Sequence, residues 1–274
     1  MTHPIIVWIA LPILLVPEAA PAATPTKATA SVAVKGHVGI RLEVVGVDIT
    51  VRNGAKDKVT VSAERCDQDG VELDLNGDRL EIEIAEFTSC HGPLTIDAPA
   101  GTDLALESVD GDLLATGSYG EARLASVNGS IRVDGARRAE IESVNGAVEC
   151  RKASDVEIQN VSGTVVLETA GTAPRVAAET VSGGLDWSGA CGKDCRLELQ
   201  TLSGRLRLRF DERASDFELR FQSKTGALDD GLKLAITKRV KNVMGGVLVR
   251  GRYKGGAGSV DIDSFSGGVE LRKR

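Results

Sequence analysis

Five cysteines, Cys66, Cys90, Cys150, Cys191 and Cys195, are the first residues whose spacing constrains any chemistry. Cys191 and Cys195 stand four apart in "ACGKDCR", a spacing that allows a small-loop disulfide in an oxidising compartment. Cys66 and Cys90 flank two strand-like stretches and form the second candidate pair. A zinc site from Cys66, Cys90 and His91 competes with that pairing, but it lacks a CxxC pair and a second nearby histidine, so the disulfide is preferred. Cys150 falls in a column of apolar residues, which makes it a small buried hydrophobe and not a reactive thiol.

Catalytic machinery is not announced. Besides His3, the only histidines are His37 and His91, and neither sits in a motif that carries a nucleophile. Glycan-processing enzymes built on parallel β-helices gather carboxylates on one face. The comparable outward positions here, Leu114, Arg132, Glu149, Val166, Asp186, Arg207 and Asp229, alternate in sign and read as ion pairs between neighbouring coils. No catalytic residue, cofactor or metal ligand is therefore assigned.

Charge is uneven along the chain. Residues 31–137 hold 10 Lys/Arg against 19 Asp/Glu, net -9, and residues 138–274 hold 22 against 19, net +3. The acidic half argues against nucleic acid as a partner. Between Gly231 and Val260 the charges are all basic: Lys233, Lys238, Arg239, Lys241, Arg250, Arg252 and Lys254. With Arg272, Lys273 and Arg274 they would make one end basic and suited to an anionic membrane surface or acidic glycan. The plainer reading is a sheet edge that uses lysine to deter strand pairing.

These residues need elements to hold them, and the chain supplies one element many times. "RLASVNGSIRV", "AEIESVNGAVEC" and "VEIQNVSGTVVL" are the same strand-turn-strand phrase, and its turn glycine recurs at Gly111, Gly129, Gly146, Gly163, Gly183, Gly204, Gly226 and Gly267. Five residues before it stand Leu106, Leu124, Ile141, Ile158, Ala178, Leu199, Phe221 and Ile262; two after it stand Leu113, Ile131, Val148, Val165, Leu185, Leu206, Leu228 and Val269. Both columns are apolar and are expected to point inward. The column four before it, Glu107, Ala125, Glu142, Gln159, Glu179, Gln200, Gln222 and Asp263, is expected to face water. The residue just before the glycine is Asp, Asn, Ser or Thr throughout, as tight turns select, and the glycine is expected to supply a positive φ.

Period and columns predict an all-β chain: a single-stranded right-handed parallel β-helix (β-solenoid) of about eight short coils, with capping strands at both ends. Residues 1–30, with the apolar run "IIVWIALPILLV" and an Ala/Pro-rich stretch, read as signal peptide and linker, an uncleaved N-terminal anchor being the alternative. Residues 31–100 alternate without the repeat phrase and are expected to form an N-terminal cap and first coils. Residues 101–274 carry the repeats, a closing hairpin and the last coil.

Three phrases resemble one family. "LTIDAPAGTDLALESVDGDLLATG" is similar to its entry phrase; "ASVNGSI", "ESVNGAV" and "NVSGTV" to its repeats; "GRYKGGAGSVDIDSFSGGVEL" to its closing phrase. The family is the bacterial adhesin-like β-solenoid domain, of unknown function, and the likeness runs from about residue 35 to 274. It implies an exported envelope protein, periplasmic, cell-surface or secreted, without established enzymatic activity, serving as a binding or scaffolding module for an envelope protein or glycan. The alternatives are a periplasmic accessory or envelope-stress signalling component that binds another protein through the column from Glu107 to Gln222, and, more distantly, a glycan-processing enzyme.

Overall fold

Strands that alternate apolar and polar residues bury one side only when they lie in a sheet, and short strands repeating at near-constant spacing do so by stacking coil on coil. The structure, a computed structural model, describes residues 27–66, 70–84, 92–172, 174–241 and 246–274. Among these residues there are strands and turns and no helix. The leader assigned to residues 1–30 lies mostly outside them. Its proposed boundary is corrected at its C-terminal end: a strand already begins at Lys27 and pairs antiparallel with Lys58–Glu64, because "KATASVA" continues the alternation.

Equivalent positions of successive coils pair in parallel, in the register that the glycine alignment predicts. On one face Ile141 lies beside Ile158, Ile158 beside Ala178 and Ala178 beside Leu199. On the other, Val148 lies beside Val165, Val165 beside Leu185 and Leu185 beside Leu206. The two inward columns meet in one continuous apolar core, and all their members are buried except Leu228. Leu228 is half-buried because its strand, Leu228–Asp230, pairs on one side only among the described residues. Trp187, Phe210, Phe217 and Tyr253 stack in series through the C-terminal part of this core, with ring centroids 4.9, 4.4 and 5.5 Å apart.

Both ends depart from sequence order. The last coil, Gly258–Ser266 with Val269–Lys273, does not close the stack: it lies between Arg196–Ser203 with Leu206–Phe210 on one side and Phe217–Ser223 with Leu228–Asp230 on the other. The hairpin of Ala235–Lys241 and Val247–Tyr253 then pairs outside Phe217–Ser223. The opposite end mirrors this. The first coil, Gly39–Val44 with Ile49–Asn53, lies between the strands Arg79–Ile84 and Leu94–Ala98 and the first repeat coil. Each terminal coil is tucked in, and later or earlier chain folds over it as a cap.

The turn glycines are required for a reason other than the expected one. A Cβ on Gly129 would lie 2.0 Å from the carbonyl oxygen of Gly111, one on Gly146 2.0 Å from that of Gly129, and one on Gly204 1.8 Å from that of Gly183. Gly111 backs onto the Val47 carbonyl, every later turn glycine backs onto the glycine of the coil before it in the stack, and a methyl group has no room. Positive φ holds at Gly163 (130°), Gly183 (143°) and Gly267 (159°), but not at Gly111, Gly129, Gly146, Gly204 or Gly226. Stacking distance, more than backbone handedness, selects the residue.

Candidate functional site

The phrase before each glycine inverts the usual polarity. In Ile141-Glu142-Ser143-Val144 the first and third residues point inward and the second and fourth outward, so a serine is buried and a valine exposed. Repetition turns this into two ladders. Ser108, Ser126, Ser143, Asn160, Thr180, Thr201, Ser264 and Ser223 are buried beneath the corner; Val109, Val127, Val144, Val161, Val181, Leu202 and Phe265 stand exposed above it, each at 39–52% of full accessibility. Val45, on the first coil, extends the apolar row at 72%.

The exposed apolar row and the Glu/Gln column two residues earlier form the walls of one trough, about 1650 Å³ in volume, that runs along the stack. Ile84 lies at its N-terminal end; Lys238, Val240, Val247 and Leu248 of the outer hairpin wall its C-terminal end. Lys224 stands there too, its Nζ 4.8 Å from the centre of the Phe265 ring. Exposed valines scattered singly mean nothing, but a contiguous apolar row inside a concavity marks a surface shaped to be covered. Sequence reasoning found the Glu107-to-Gln222 column and missed the valine row. The signal was there, as a "SV", "NV", "TV", "TL" or "SF" pair out of phase with the apolar alternation in seven coils, Lys224 taking the apolar place after Ser223.

The polar ladder at the corner itself is spent on its own coils. Asn128 Nδ2 donates to Asp110 Oδ1 at 2.8 Å, Asn145 Nδ2 to Asn128 Oδ1 at 3.1 Å, and Ser162 Oγ to Asn145 Oδ1 at 2.9 Å. Further along, Ser182, Ser203 and Ser266 donate to the carbonyls of Val161, Val181 and Leu202. The face away from the trough is likewise paired. Arg132 meets Glu149 at 3.2 Å, and Arg207 lies between Asp186 and Glu270, 3.4 Å from each.

The cysteines occupy structural positions. Cys191 and Cys195 are joined in a disulfide at the corner of two coils. The carbonyl of Cys191 accepts from the Asp216 amide at 2.7 Å and that of Cys195 from the Ser259 amide at 2.9 Å, so the loop borders the entry of the last coil. Cys66 is buried and disulfide-bonded; Cys90 and His91 lie outside the described residues. Cys150 is buried and free, and burial, with Asp134 nearby, pushes its thiol pKa up to about 12, which keeps it protonated and unreactive.

The basic residues are not one patch. Lys238, Arg239 and Lys241 are exposed on Ala235–Lys241, the outermost strand of its face, and Arg250 is exposed on its neighbour. Arg252 is held by Glu218 at 2.7 Å, and Lys254 donates to the Glu212 carbonyl at 2.6 Å. Arg272, Lys273 and Arg274 do not join them, because their strand is an internal coil: they pair with Asp229, Glu212 and Glu168. The hydrogen bond from Lys273 holds the Glu212 carboxyl below its ordinary pKa, and that from Arg272 does the same for Asp229. The expected basic end is thus reduced to the hairpin.

Comparison with known families finds that the profile described as Toastrack DUF4097 matches residues 37–272. Among solved structures, a "putative cell adhesion protein" from Clostridium sporogenes ATCC 15579 is similar at 9% identity and a TM-score of 0.31, over 92% of this chain and 100% of that one. A "putative adhesin" from Parabacteroides distasonis ATCC 8503 is similar at 10% identity and a TM-score of 0.37, over 90% and 97%. A "putative adhesin" from Bacteroides fragilis NCTC 9343 gives 10% and 0.33 over the same shares. No curated protein matches the chain.

Proposed function

The chain belongs to the Toastrack DUF4097 family, and on that premise we propose that it is a non-enzymatic binding module of the bacterial envelope, exported, which holds its partner in the trough. The observation that carries this is the continuous exposed apolar row from Val45 to Phe265 inside a concavity. Burying such a row is worth about 25 cal/mol per Å² of apolar surface, enough for several valines together to anchor a partner. The stacked coils hold the row rigid, so little ordering cost falls on this side of the complex. The Cys191–Cys195 disulfide supports an oxidising compartment, and the engaged Asn/Ser ladder, the ion-paired opposite face and the protonated Cys150 support a role in binding over catalysis.

One observation favours the second reading, a periplasmic component that recognises another protein. The Glu107-to-Gln222 column does not face open solvent along a flat sheet; it forms a wall of the trough and so contacts whatever the valines contact.

Photo-crosslinking in living cells tests the site. A photoreactive residue at Val161, in the trough, is expected to trap a discrete adduct; the same residue at Val166, an exposed valine on the other face, is expected to trap none. Adducts from Val166 alone, or equal and diffuse capture from both, would overturn the trough as the binding surface. Location is tested by protease digestion of the tagged protein. Digestion in intact cells is expected for a surface protein and protection until the outer barrier is opened for a periplasmic one; resistance in opened cells with release only on lysis would overturn export.

A further inference from the structure

The coil order changes the meaning of the Glu/Gln wall. Read along the sequence, its last three members are Gln200, Gln222 and Asp263. Read along the stack, where the last coil is tucked in, they are Gln200, Asp263 and Gln222. The full wall then runs Glu43, Glu107, Ala125, Glu142, Gln159, Glu179, Gln200, Asp263, Gln222: Glu43, which is paired with Arg41, lies directly beside Glu107, and from Glu107 onward a carboxylate stands on every second coil. Parallel coils lie about 4.8 Å apart, so the carboxylates repeat at about 9.6 Å.

Alternation relieves the repulsion that like charges on adjacent strands would suffer, but the fold relieves it differently elsewhere. On the opposite face the neighbours of acidic residues are arginines, as in Arg132 with Glu149 and Arg207 with Asp186 and Glu270. In the trough the neighbours of Glu142 and Glu179 are Ala125, Gln159 and Gln200, which carry no compensating charge, and Glu107 lies between Ala125 and another acid, Glu43, with Arg41 acting on it at longer range. Glu107, Glu142 and Glu179 are exposed and have no ion-pair partner among the described residues, whereas Asp263 lies 3.9 Å from Arg220. An apolar row beside a row of unpaired carboxylates is complementary to a segment with an apolar stripe flanked by positive charge.

We infer that the trough takes a cationic amphipathic helix of a partner protein, laid along the stack with its apolar stripe on the Val45-to-Phe265 row and its lysines or arginines on Glu107, Glu142 and Glu179. This rests on the trough being the binding surface and adds what it binds. The backbone groups of the trough strands are already paired between coils, so a peptide strand cannot add to the sheet here, while a helix brings its own backbone hydrogen bonds satisfied. The dimensions agree. Two heptads of helix rise about 21 Å, and the four coil steps from Glu107 to Glu179 span about 19 Å, a mismatch that a lysine side chain absorbs. From Glu43 to Gln222 the wall spans about 38 Å, the length of a helix of roughly 25 residues. A second copy of this chain would instead bring its own carboxylate wall against the first, and an anionic lipid surface would meet like charge.

The test uses the purified protein and three synthetic 25-residue peptides: one with leucine at the a and d positions of each heptad and lysine at e and g, one with each of those lysines replaced by glutamate, and one with the lysine peptide's composition scrambled. Fluorescence anisotropy at low salt is expected to show the patterned lysine peptide binding at least tenfold tighter than either other. The Glu107→Gln/Glu142→Gln/Glu179→Gln protein is expected to lose at least tenfold for that peptide and most of its salt dependence. The Val144→Ser/Val161→Ser protein, changed only at exposed positions, is expected to lose at least tenfold as well. If lysine and glutamate peptides bind alike and both are lost in Val144→Ser/Val161→Ser, the cationic partner is overturned and the trough stands. If the lysine peptide binds but neither variant weakens it, the trough itself falls. Equal binding of the scrambled peptide overturns the helix, and binding of none, or self-association of the protein through the trough, overturns the inference.

Discussion

A chain ended after Ala257 is expected not to fold. Repeat proteins with coils in sequence order lose a terminal coil by fraying, because only one interface is given up. Here residues 258–273 sit inside the stack, and their removal strips partners from two coils together: Arg196–Ser203 and Leu206–Phe210 on one side, Phe217–Ser223 and Leu228–Asp230 on the other. It also takes Val260, Ile262, Val269 and Leu271, all buried, out of the core. Four buried aliphatic side chains at about 1.5–3 kcal/mol each come to roughly 6–12 kcal/mol, on the scale of the whole stability of a typical domain, about 5–15 kcal/mol. The disulfide loop would also lose the Ser259 amide that bonds to the Cys195 carbonyl. Circular dichroism with thermal unfolding reads the outcome: the truncated protein should aggregate or melt without a cooperative transition. A cooperative transition lowered by only a few degrees would mean that the last coil lies at the end of the stack.

That topology was not legible in the sequence, and the reason is the repetition that made the rest so. "RLELQTLSGRLRL", "DFELRFQSKTGALDD" and "SVDIDSFSGGVEL" place apolar, polar and glycine positions alike, so each coil is complementary to any other and order along the chain is the default assumption. The inward columns, the turn ladder and the opposite-sign pairs of Arg132 with Glu149 and Arg207 with Asp186 followed from period-two alternation within the phrase, which neighbouring coils only copy. The trough was half legible. Its acid and amide wall obeys the alternation rule and was placed outward, whereas Val109, Val127 and Val144 break the rule that outward residues are polar and fell among turn residues. The function of the glycine was misjudged for a related reason: φ is a property of one residue, but the contact of Gly146 with the carbonyl of Gly129 belongs to two coils.

Gly183→Ala and Gly184→Ala, adjacent and chemically identical changes, are expected to differ sharply. At Gly183 the added methyl would meet the Gly163 carbonyl oxygen at 1.9 Å, with its carbon at 3.0 Å and its nitrogen at 3.2 Å, and the φ of 143° disfavours any L side chain besides. All three atoms are backbone, and they cannot retreat: Ser162 is paired with Ser182 just before the corner and Val165 with Leu185 just after it. Overpacking of this kind costs about 3 kcal/mol or more, which for a protein of this size lowers the melting temperature by roughly 10 °C. At Gly184 the nearest atom to a new Cβ is the Arg205 carbonyl oxygen at 3.8 Å, ordinary contact. Alanine there also narrows the unfolded ensemble, so the change is expected to be neutral or stabilising by up to about 1 kcal/mol. Differential scanning calorimetry on the two variants reads the contrast directly. Equal melting temperatures would show that the glycine column is tolerated turn chemistry; a loss at Gly183 alone shows that inter-coil spacing is what the column serves, because the rigidity of the trough depends on coils that stack this closely.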